Sequence, residues 1–220
     1  MHLLLLLFSY VAAIQTEPGA IPPHWGFYVG DDARRIRYCG ICQVWKPDRA
    51  HHCSVCNRCV LNMDHHCPWI NNCVGFYNRK FFIQALFFAN SCLLNMLIQI
   101  LFPLLVNSRN RYSRGMDTNA RVSGLLLLAV LIIGVLLGLI PFSRFHWHLL
   151  VSNSTTIESL DVVNKEHSRF NIGARRNIEQ VFGSNFLFWW LPCHTSSTQP
   201  VGDGVRWRRH YLKNDNLSLI

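Results

Sequence analysis

Residues 39–73 read CGICQVWKPDRAHHCSVCNRCVLNMDHHCPWINNC, and this stretch decides which fold the chain can adopt. It contains seven of the nine cysteines and four of the eleven histidines. The C-x-x-C pairs are typical of zinc sites, because two thiolates at this spacing can hold one tetrahedral ion. The odd cysteine count and the intervening histidines favour zinc in a reducing compartment over a disulfide framework. Zinc would supply the folding free energy that so small a segment cannot obtain from apolar burial.

The number of candidate ligands exceeds what two structural zinc sites need. If each site takes three cysteines and one histidine, one cysteine is left over. Spacing alone does not identify it. A sequential division of the ligands makes Cys67 a metal ligand, whereas its neighbours Asp64 and His65 suit a catalytic thiol. An imidazole can take the proton of a thiol, whose free pKa is about 8.5, and a carboxylate can orient that imidazole. On the residues alone both interpretations stay open.

Two long apolar segments follow the cysteine-rich stretch of residues 39–80. Residues 81–106 carry no charge and are long enough to span a bilayer, with a buried helix of a soluble protein as the alternative. Residues 122–142 have neither a charge nor an amide side chain and are the clearest membrane span. A polar loop, residues 107–121, separates the two. No internal repeat is evident in the sequence.

Residues 1–14 form a shorter apolar segment, which we interpret as the second half of a spanning helix. A signal peptide is the alternative, weakened by the lack of Lys and Arg before the apolar run. Residues 15–38 form a polar connector. Residues 143–220 form a basic tail, in which the short aromatic segment 185–192 suits the membrane interface.

The charge pattern limits the partners and bears on orientation. The net charge of +9 suits an anionic membrane surface, an anionic substrate or nucleic acid. Nucleic acid is not expected, because the arginines are scattered and the zinc spacing matches no DNA-reading finger. The arginines of the loop 107–121 would place that loop in the cytosol by the positive-inside rule. Reduced cysteines require the opposite orientation, with the cysteine-rich segment in the cytosol, and we give this argument more weight.

Residues 38–82 closely resemble the cysteine-rich domain of the DHHC family of membrane protein S-acyltransferases, the palmitoyltransferases. The matching pattern is C39-x2-C42-x3-K46-P47-x-R49-x2-H52-C53-x2-C56-x2-C59-x4-D64-H65-H66-C67-P68-W69-x3-C73-x4-N78-x3-F82. Three shorter segments extend the resemblance: TTIE at 155–158 is similar to the family's TTxE motif, NIEQVFG at 177–183 to its C-terminal motif, and EPG at 17–19 stands where the family usually has DPG.

The resemblance implies two interleaved zinc sites and one free thiol. The first site would be formed by Cys39, Cys42, His52 and Cys59, and the second by Cys53, Cys56, His66 and Cys73. Cys67 would be the nucleophile, His65 its base and Asp64 the group that orients the base. The implied reaction is ping-pong: a long-chain acyl-CoA such as palmitoyl-CoA acylates Cys67, which then passes the acyl group to cysteines of substrate proteins.

Further roles are expected for residues around this site. The candidates for contact with the phosphates of CoA are Lys46 and Arg49. The candidates for structural support, of the zinc domain or of the membrane helices, are Thr155, Thr156, Glu158 and Asn177.

The expected fold is an α-helical integral membrane protein with a small zinc-bound domain of loops and β-hairpins facing the cytosol. It would reside in the Golgi, the ER or the plasma membrane. The family usually has at least four spans, whereas two full spans and a fragment are evident here, so we expect an N-terminally truncated four-span fold. The alternative function is a catalytically impaired fragment that acts as a membrane-anchored zinc module for protein interaction.

Overall fold

The computed structural model describes residues 1–26, 37–106, 116–160 and 170–208. Most of the predicted loop 107–121, and parts of the predicted connector and tail, lie outside these ranges. The helices of the described ranges are α1 (His2–Gln15), α2 (Arg79–Val106), α3 (Met116–Val151), α4 (Thr156–Leu160) and α5 (Ala174–Phe182), followed by a 3-10 turn at Phe186–Phe188. The strands are β1 (Arg37–Cys39), β2 (Val44–Lys46), β3 (His51–Cys53), β4 (Arg58–Val60), β5 (His65–Cys67) and β6 (Asn72–Val74).

Helices α2 and α3 are long and apolar enough to cross a membrane, over Arg79–Val106 and Ala120–Val151. In the most apolar window of each, 17% of the residues are buried within the protein, so neither is the core helix of a soluble domain. Helix α3 continues beyond the predicted end at residue 142, because Leu149 and Leu150 on its last turns are buried against the rest of the protein. Helix α1 is apolar but shorter, and it packs along α2.

The cysteine-rich segment folds into three antiparallel hairpins: β1 with β2, β3 with β4, and β5 with β6. Their registers are equivalent, since the last residue of each first strand, Cys39, Cys53 and Cys67, faces the residue five positions later. Each hairpin also has a residue with positive φ four positions after that cysteine, namely Gln43, Asn57 and Asn71. The segment is therefore a threefold structural repeat, and the expectation of no internal repeat was wrong. Two of the three units are also alike in sequence, since HHC-x3-N-x-C-V occurs at residues 51–60 and again at 65–74, whereas the first unit, residues 37–46, matches them only at its cysteines.

Two asparagines fix α1 to the hairpins. The side-chain amide of Asn72 donates to the carbonyls of Ile14 at 3.0 Å and Thr16 at 3.1 Å, and that of Asn78 donates to Ala13 at 3.2 Å. The last carbonyls of a helix have no partner within it, so these bonds complete the C-terminal end of α1. The apolar helix therefore ends directly against the third hairpin.

The EPG segment lies along the hairpin domain. The carbonyl of Pro18 accepts from the N–H of Tyr77 at 3.1 Å, and that of Gly19 accepts from Leu61 at 3.0 Å. Gly75 permits this approach, because a Cβ at that position would lie 2.7 Å from the carbonyl oxygen of Pro18. A side chain at residue 75 would push the segment away from the domain.

The C-terminal segment is tied to both long helices by polar side chains. Gln84 on α2 donates to the carbonyls of Trp189 at 2.7 Å and Leu191 at 3.0 Å. Asn177 on α5 is 1% exposed and donates to the carbonyl of Val151, the last residue of α3, at 2.6 Å. Its side-chain oxygen accepts from the N–H of Ile172 at 3.1 Å. Asn177 thus links the end of α3 to the start of the C-terminal segment.

Replacing Asn177 with Ala should lower the free energy of unfolding by about 1–3 kcal/mol, because it leaves the partly buried carbonyl of Val151 and N–H of Ile172 without this partner. Thermal unfolding of the purified protein in detergent measures the change. Arg175→Ala is the matched control on the same helix, since the Arg175 side chain is 86% exposed. Equal shifts in the two variants would contradict the assignment.

Candidate active site and metal-binding residues

Two groups of metal-type ligands lie at the junctions of consecutive hairpins. The first group is Cys39, Cys42, His52 and Cys59, and the second is Cys53, Cys56, His66 and Cys73. In each, a C-x-x-C pair from one hairpin meets a histidine and a cysteine from the next. The ligand atoms of a group all lie within 4.8 Å of one another. The structure brings together both sets that the resemblance implied.

Both groups fit zinc by donor type and spacing. Tetrahedral zinc with bonds of about 2.3 Å to sulfur and about 2.0–2.1 Å to nitrogen separates its ligands by roughly 3.5–3.8 Å. The Nδ1 atom of His66 lies 3.7, 3.4 and 3.8 Å from the three sulfurs of its group. For His52 the corresponding distances are 3.7, 3.2 and 4.0 Å. Three thiols and one imidazole form a donor set typical of structural zinc.

The third hairpin differs from the other two at one position. Where they have Cys42 and Cys56, three residues after the first cysteine, it has Ile70. Cys67 therefore lacks the second thiol of a C-x-x-C pair and belongs to neither group. Its sulfur still accepts backbone hydrogen bonds from Ile70 and Trp69, as the first cysteines of the other hairpins do from their own turns.

Cys67 lies beside a polarised imidazole. Nδ1 of His65 is 2.7 Å from Oδ2 of Asp64, and the other side of the ring faces Cys67. Burial alone lowers the pKa of His65, but the hydrogen bonds to Asp64 and Cys67 outweigh it and raise that pKa to about 9. Burial raises the pKa of Cys67, yet the bonds from His65 and from the backbone of Ile70 and Trp69 lower it below its ordinary value. The opposite shifts favour a thiolate beside an imidazolium.

The TTIE segment holds the carboxylate of Asp64. Thr155 and Glu158 form a reciprocal capping box: the Glu158 carboxylate accepts from the N–H of Thr155 at 2.9 Å, and the Thr155 hydroxyl accepts from the N–H of Glu158 at 3.2 Å. Thr156 is then oriented so that its N–H and its hydroxyl each donate to Asp64 at 2.9 Å. Burial would raise the pKa of Asp64, but the charge of Arg79 and the hydrogen bond from His65 outweigh it and hold that pKa well below its usual range.

Arg49 has a different environment from the one expected for a phosphate contact. Its guanidinium is buried and donates to Glu158 at 2.6 and 2.9 Å and to Asn153 at 2.9 and 3.0 Å. The rings of Phe170 and Trp207 lie 4.5 and 4.4 Å from it. The expectation for Arg49 is therefore revised to structural support of Glu158. Lys46 lies half-buried on β2, opposite Arg37.

An apolar cavity of about 670 Å³ opens beside Cys67. Trp69 and Phe82 lie near the thiol, and Leu86, Ala89 and Val135 lie farther along α2 and α3. Tyr10 on α1 lines the same cavity and donates to the carbonyl of Trp69 at 2.6 Å. The cavity thus runs from the thiol in between the apolar helices.

Two residues that lie near Asp64 were not identified as site residues from the sequence. Arg79, at the start of α2, is buried, donates to the carbonyl of Ser154 at 2.6 Å and lies 3.6 Å from Asp64. His146 on α3 is also 3.6 Å from Asp64. Neither belongs to a recognisable motif. The one signal in the sequence is helical spacing, which puts His146 on the same face of α3 as Leu149 and Leu150.

Together these elements define a membrane protein whose hairpin domain presents a free thiol and an oriented imidazole at an apolar cavity. The profile of the DHHC palmitoyltransferase family matches residues 33–162. Probable protein S-acyltransferase 12 of Arabidopsis thaliana is 36% identical over 207 residues, covering 88% of this chain and 70% of that protein. Palmitoyltransferase ZDHHC20 of Homo sapiens is 39% identical over 181 residues, which cover 80% of this chain and 47% of that protein. Palmitoyltransferase ZDHHC20-A of Danio rerio is 43% identical over 173 residues, which cover 77% of this chain and 46% of that protein. The chain belongs to the DHHC palmitoyltransferase family.

Replacing His66 with Ala should remove one zinc ion per chain and leave the other, because the two ligand groups share no residue. Metal analysis of the purified protein measures this. His51→Ala is the matched control, since His51 lies on the equivalent hairpin but in neither group. Full zinc content in the His66 variant, or loss of zinc in the His51 variant, would contradict the ligand assignment.

Proposed function

We propose that this chain is a protein S-acyltransferase that carries a long-chain acyl group on Cys67 and passes it to cysteines of other proteins. The observation that carries the proposal is the position of the Cys67 thiol. It lies outside both ligand groups, next to the Asp64–His65 pair and at the mouth of an apolar cavity. A thiol for attack, a base for its proton and an apolar site for an acyl chain are what thioester exchange needs.

The first half-reaction begins with proton transfer from Cys67 to His65. The thiolate attacks the carbonyl carbon of an acyl-CoA thioester, the bond to the CoA sulfur breaks, and the CoA thiolate takes the proton back from His65. Asp64 accepts a hydrogen bond from Nδ1 of His65, which leaves the other ring nitrogen to face the thiol. The product is acyl-Cys67 and free CoA.

The second half-reaction reverses these roles. His65 takes the proton of a cysteine in the substrate protein, whose thiolate attacks acyl-Cys67, and the Cys67 sulfur leaves and is reprotonated. One thioester replaces another in each half, so little net free energy is required. Palmitoyl-CoA is the proposed acyl donor, since each buried CH₂ of its chain contributes about 0.8 kcal/mol.

We propose two zinc ions, one in each Cys3His group. When bound, they supply folding free energy to a segment with little apolar core of its own. Neither group includes Asp64, His65 or Cys67, so the ions hold the hairpins while these residues perform the reaction. Thr155, Thr156, Glu158 and Asn177 support the same arrangement from the C-terminal segment.

Lys46 remains the proposed contact for the phosphates of CoA. It faces Arg37 across the first hairpin, so two cationic residues lie on the paired strands.

The proposed orientation has the hairpin domain in the cytosol, where acyl-CoA and reducing conditions are both found. The membrane is proposed to be the Golgi, the ER or the plasma membrane, and the number of spans in the full fold is proposed to be four. A module that only binds proteins would need neither the free thiol nor the cavity.

Cys67→Ser should abolish covalent acylation when the protein is incubated with an alkyne-tagged palmitoyl-CoA, because the transfer depends on this thiol. The parent protein should carry a label that hydroxylamine removes, as expected of a thioester. Cys193→Ser is the matched control: Cys193 is an exposed free thiol, and its loss should leave the label intact. A label that persists on the Cys67 variant would contradict the proposal.

Ala89→Phe should shift the preference toward shorter acyl chains. Ala89 lies seven residues beyond Phe82 on α2, roughly 10 Å deeper in the cavity. The added ring should favour myristoyl-CoA over palmitoyl-CoA by roughly tenfold relative to the parent, since two CH₂ groups lose their burial. Competition between the two donors measures the ratio. Val130→Phe, at an exposed position of α3, should leave it unchanged; an unchanged ratio in the Ala89 variant would contradict this placement of the chain.

A further inference from the structure

His146 is a buried histidine that lies outside both ligand groups and has no part in the reaction described above. It lies on α3 and is 2% exposed. Its ring packs edge-on against Phe82, Phe142 and Phe145, with centroid distances of 5.0, 4.5 and 5.3 Å. Phe82 and Phe142 also line the cavity beside Cys67. A polar ring is therefore held rigidly at the wall of the active site.

The polar edge of this ring faces the catalytic pair. Nδ1 of His146 lies 3.6 Å from Oδ2 of Asp64, just beyond hydrogen-bond length, and the centroids of the His146 and His65 rings are 5.3 Å apart. Contacts at active sites are often long before substrate binds and shorten in the reacting complex. Oδ2 is also the oxygen that accepts from His65. His146 thus approaches the atom on which the orientation of His65 depends.

We propose that His146 is a positioning residue for acyl transfer, holding the Asp64 carboxylate, and through it the His65 imidazole, in the orientation that reaches Cys67. The inference rests on the proposed function, since it assigns His65 the role of base. Among the residues that the structure describes, the other polar contacts of Asp64 come from the hairpin domain, α4 and the start of α2. His146 adds a contact from α3, the helix that forms one side of the acyl cavity.

A metal site is the other reading of the same cluster, because ligand atoms of Asp64, His65 and His146 lie within 4.8 Å of one another. Positioning is favoured, because the Asp64 oxygens already accept from the N–H and hydroxyl of Thr156 and from His65. These three donors take most of the roughly four lone-pair sites of a carboxylate, which leaves room for one further N–H but makes Asp64 a poor metal ligand.

The test compares His146→Phe, which keeps the ring and loses the nitrogen, with His146→Asn, whose amide can place an N–H where Nδ1 stood. The maximal rate of acyl-enzyme formation from palmitoyl-CoA should fall about tenfold in the Phe variant, with the half-saturating donor concentration unchanged within about twofold. The Asn variant should recover to within about threefold of the parent. His148→Phe is the matched control, an exposed histidine two residues along the same helix, and should react as the parent does.

A Phe variant as fast as the parent, or an Asn variant as slow as the Phe variant, would overturn the proposal, since either result reduces His146 to packing. Zinc content shows whether the Phe variant folds. If it does not, His146→Leu replaces it, because the Leu side chain has a shape similar to that of Asn but no polar atoms. If neither apolar variant folds, the contact serves folding and the positioning role is rejected.

A second readout separates this inference from the proposed function. Iodoacetamide modifies a cysteine faster the more of its thiol is present as thiolate. Mass spectrometry can measure the extent of modification of Cys67 relative to that of Cys193 in the same sample, and this gives an alkylation ratio. The ratio should fall several-fold in the Phe variant and recover in the Asn variant, as expected when an oriented base is lost and restored. If the parent takes up no acyl group, the proposed function fails, and an alkylation ratio that is equal in parent and Phe variant then overturns the role of His146 as well.

Discussion

The fold depends on the way the candidate metal ligands are shared between consecutive hairpins. The pairs Cys39/Cys42 and Cys53/Cys56 each complete a donor set with a histidine and a cysteine from the hairpin that follows. The third hairpin supplies His66 and Cys73 to the second, but the chain then enters α2, and no further hairpin follows directly. The first cysteine of the third hairpin therefore has no donor set to join. A repeated structural unit thus produces a thiol that is held in a rigid turn and is free to react.

The buried carboxylate of Asp64 joins this domain to the membrane helices. An isolated buried charge is costly, so it persists only where donors and cations surround it. Here the donors come from the adjoining strand and from α4, and the positive charge comes from Arg79 at the start of α2. Glu158, which caps α4, is held in turn by Arg49. Asp64 and its partner His65 are therefore held in place by contacts from the hairpins, the helices and the C-terminal segment together.

The sequence predicted the local features well. The C-x-x-C spacing indicated metal, and the uncharged runs indicated α2 and α3. Spacing alone left open whether Cys67 is a metal ligand or a free thiol, and the resemblance implied that it is the free thiol. It did not predict contacts between distant segments. His146 and Arg79 reach Asp64 only because α2 and α3 converge on the third hairpin. The partners of Arg49 lie more than one hundred residues away in the chain, so a cation that suits phosphate by type proved to be an interior ion-pair partner.

Native mass spectrometry of the intact protein with palmitoyl-CoA tests the central claim most directly. If Cys67 is free while the two donor sets hold zinc, a single species should carry both ions and one acyl group, and peptide mapping should place that group on Cys67. A protein that loses a zinc ion for each acyl group gained would show that the Cys67 sulfur serves as a metal ligand. That result would contradict the account.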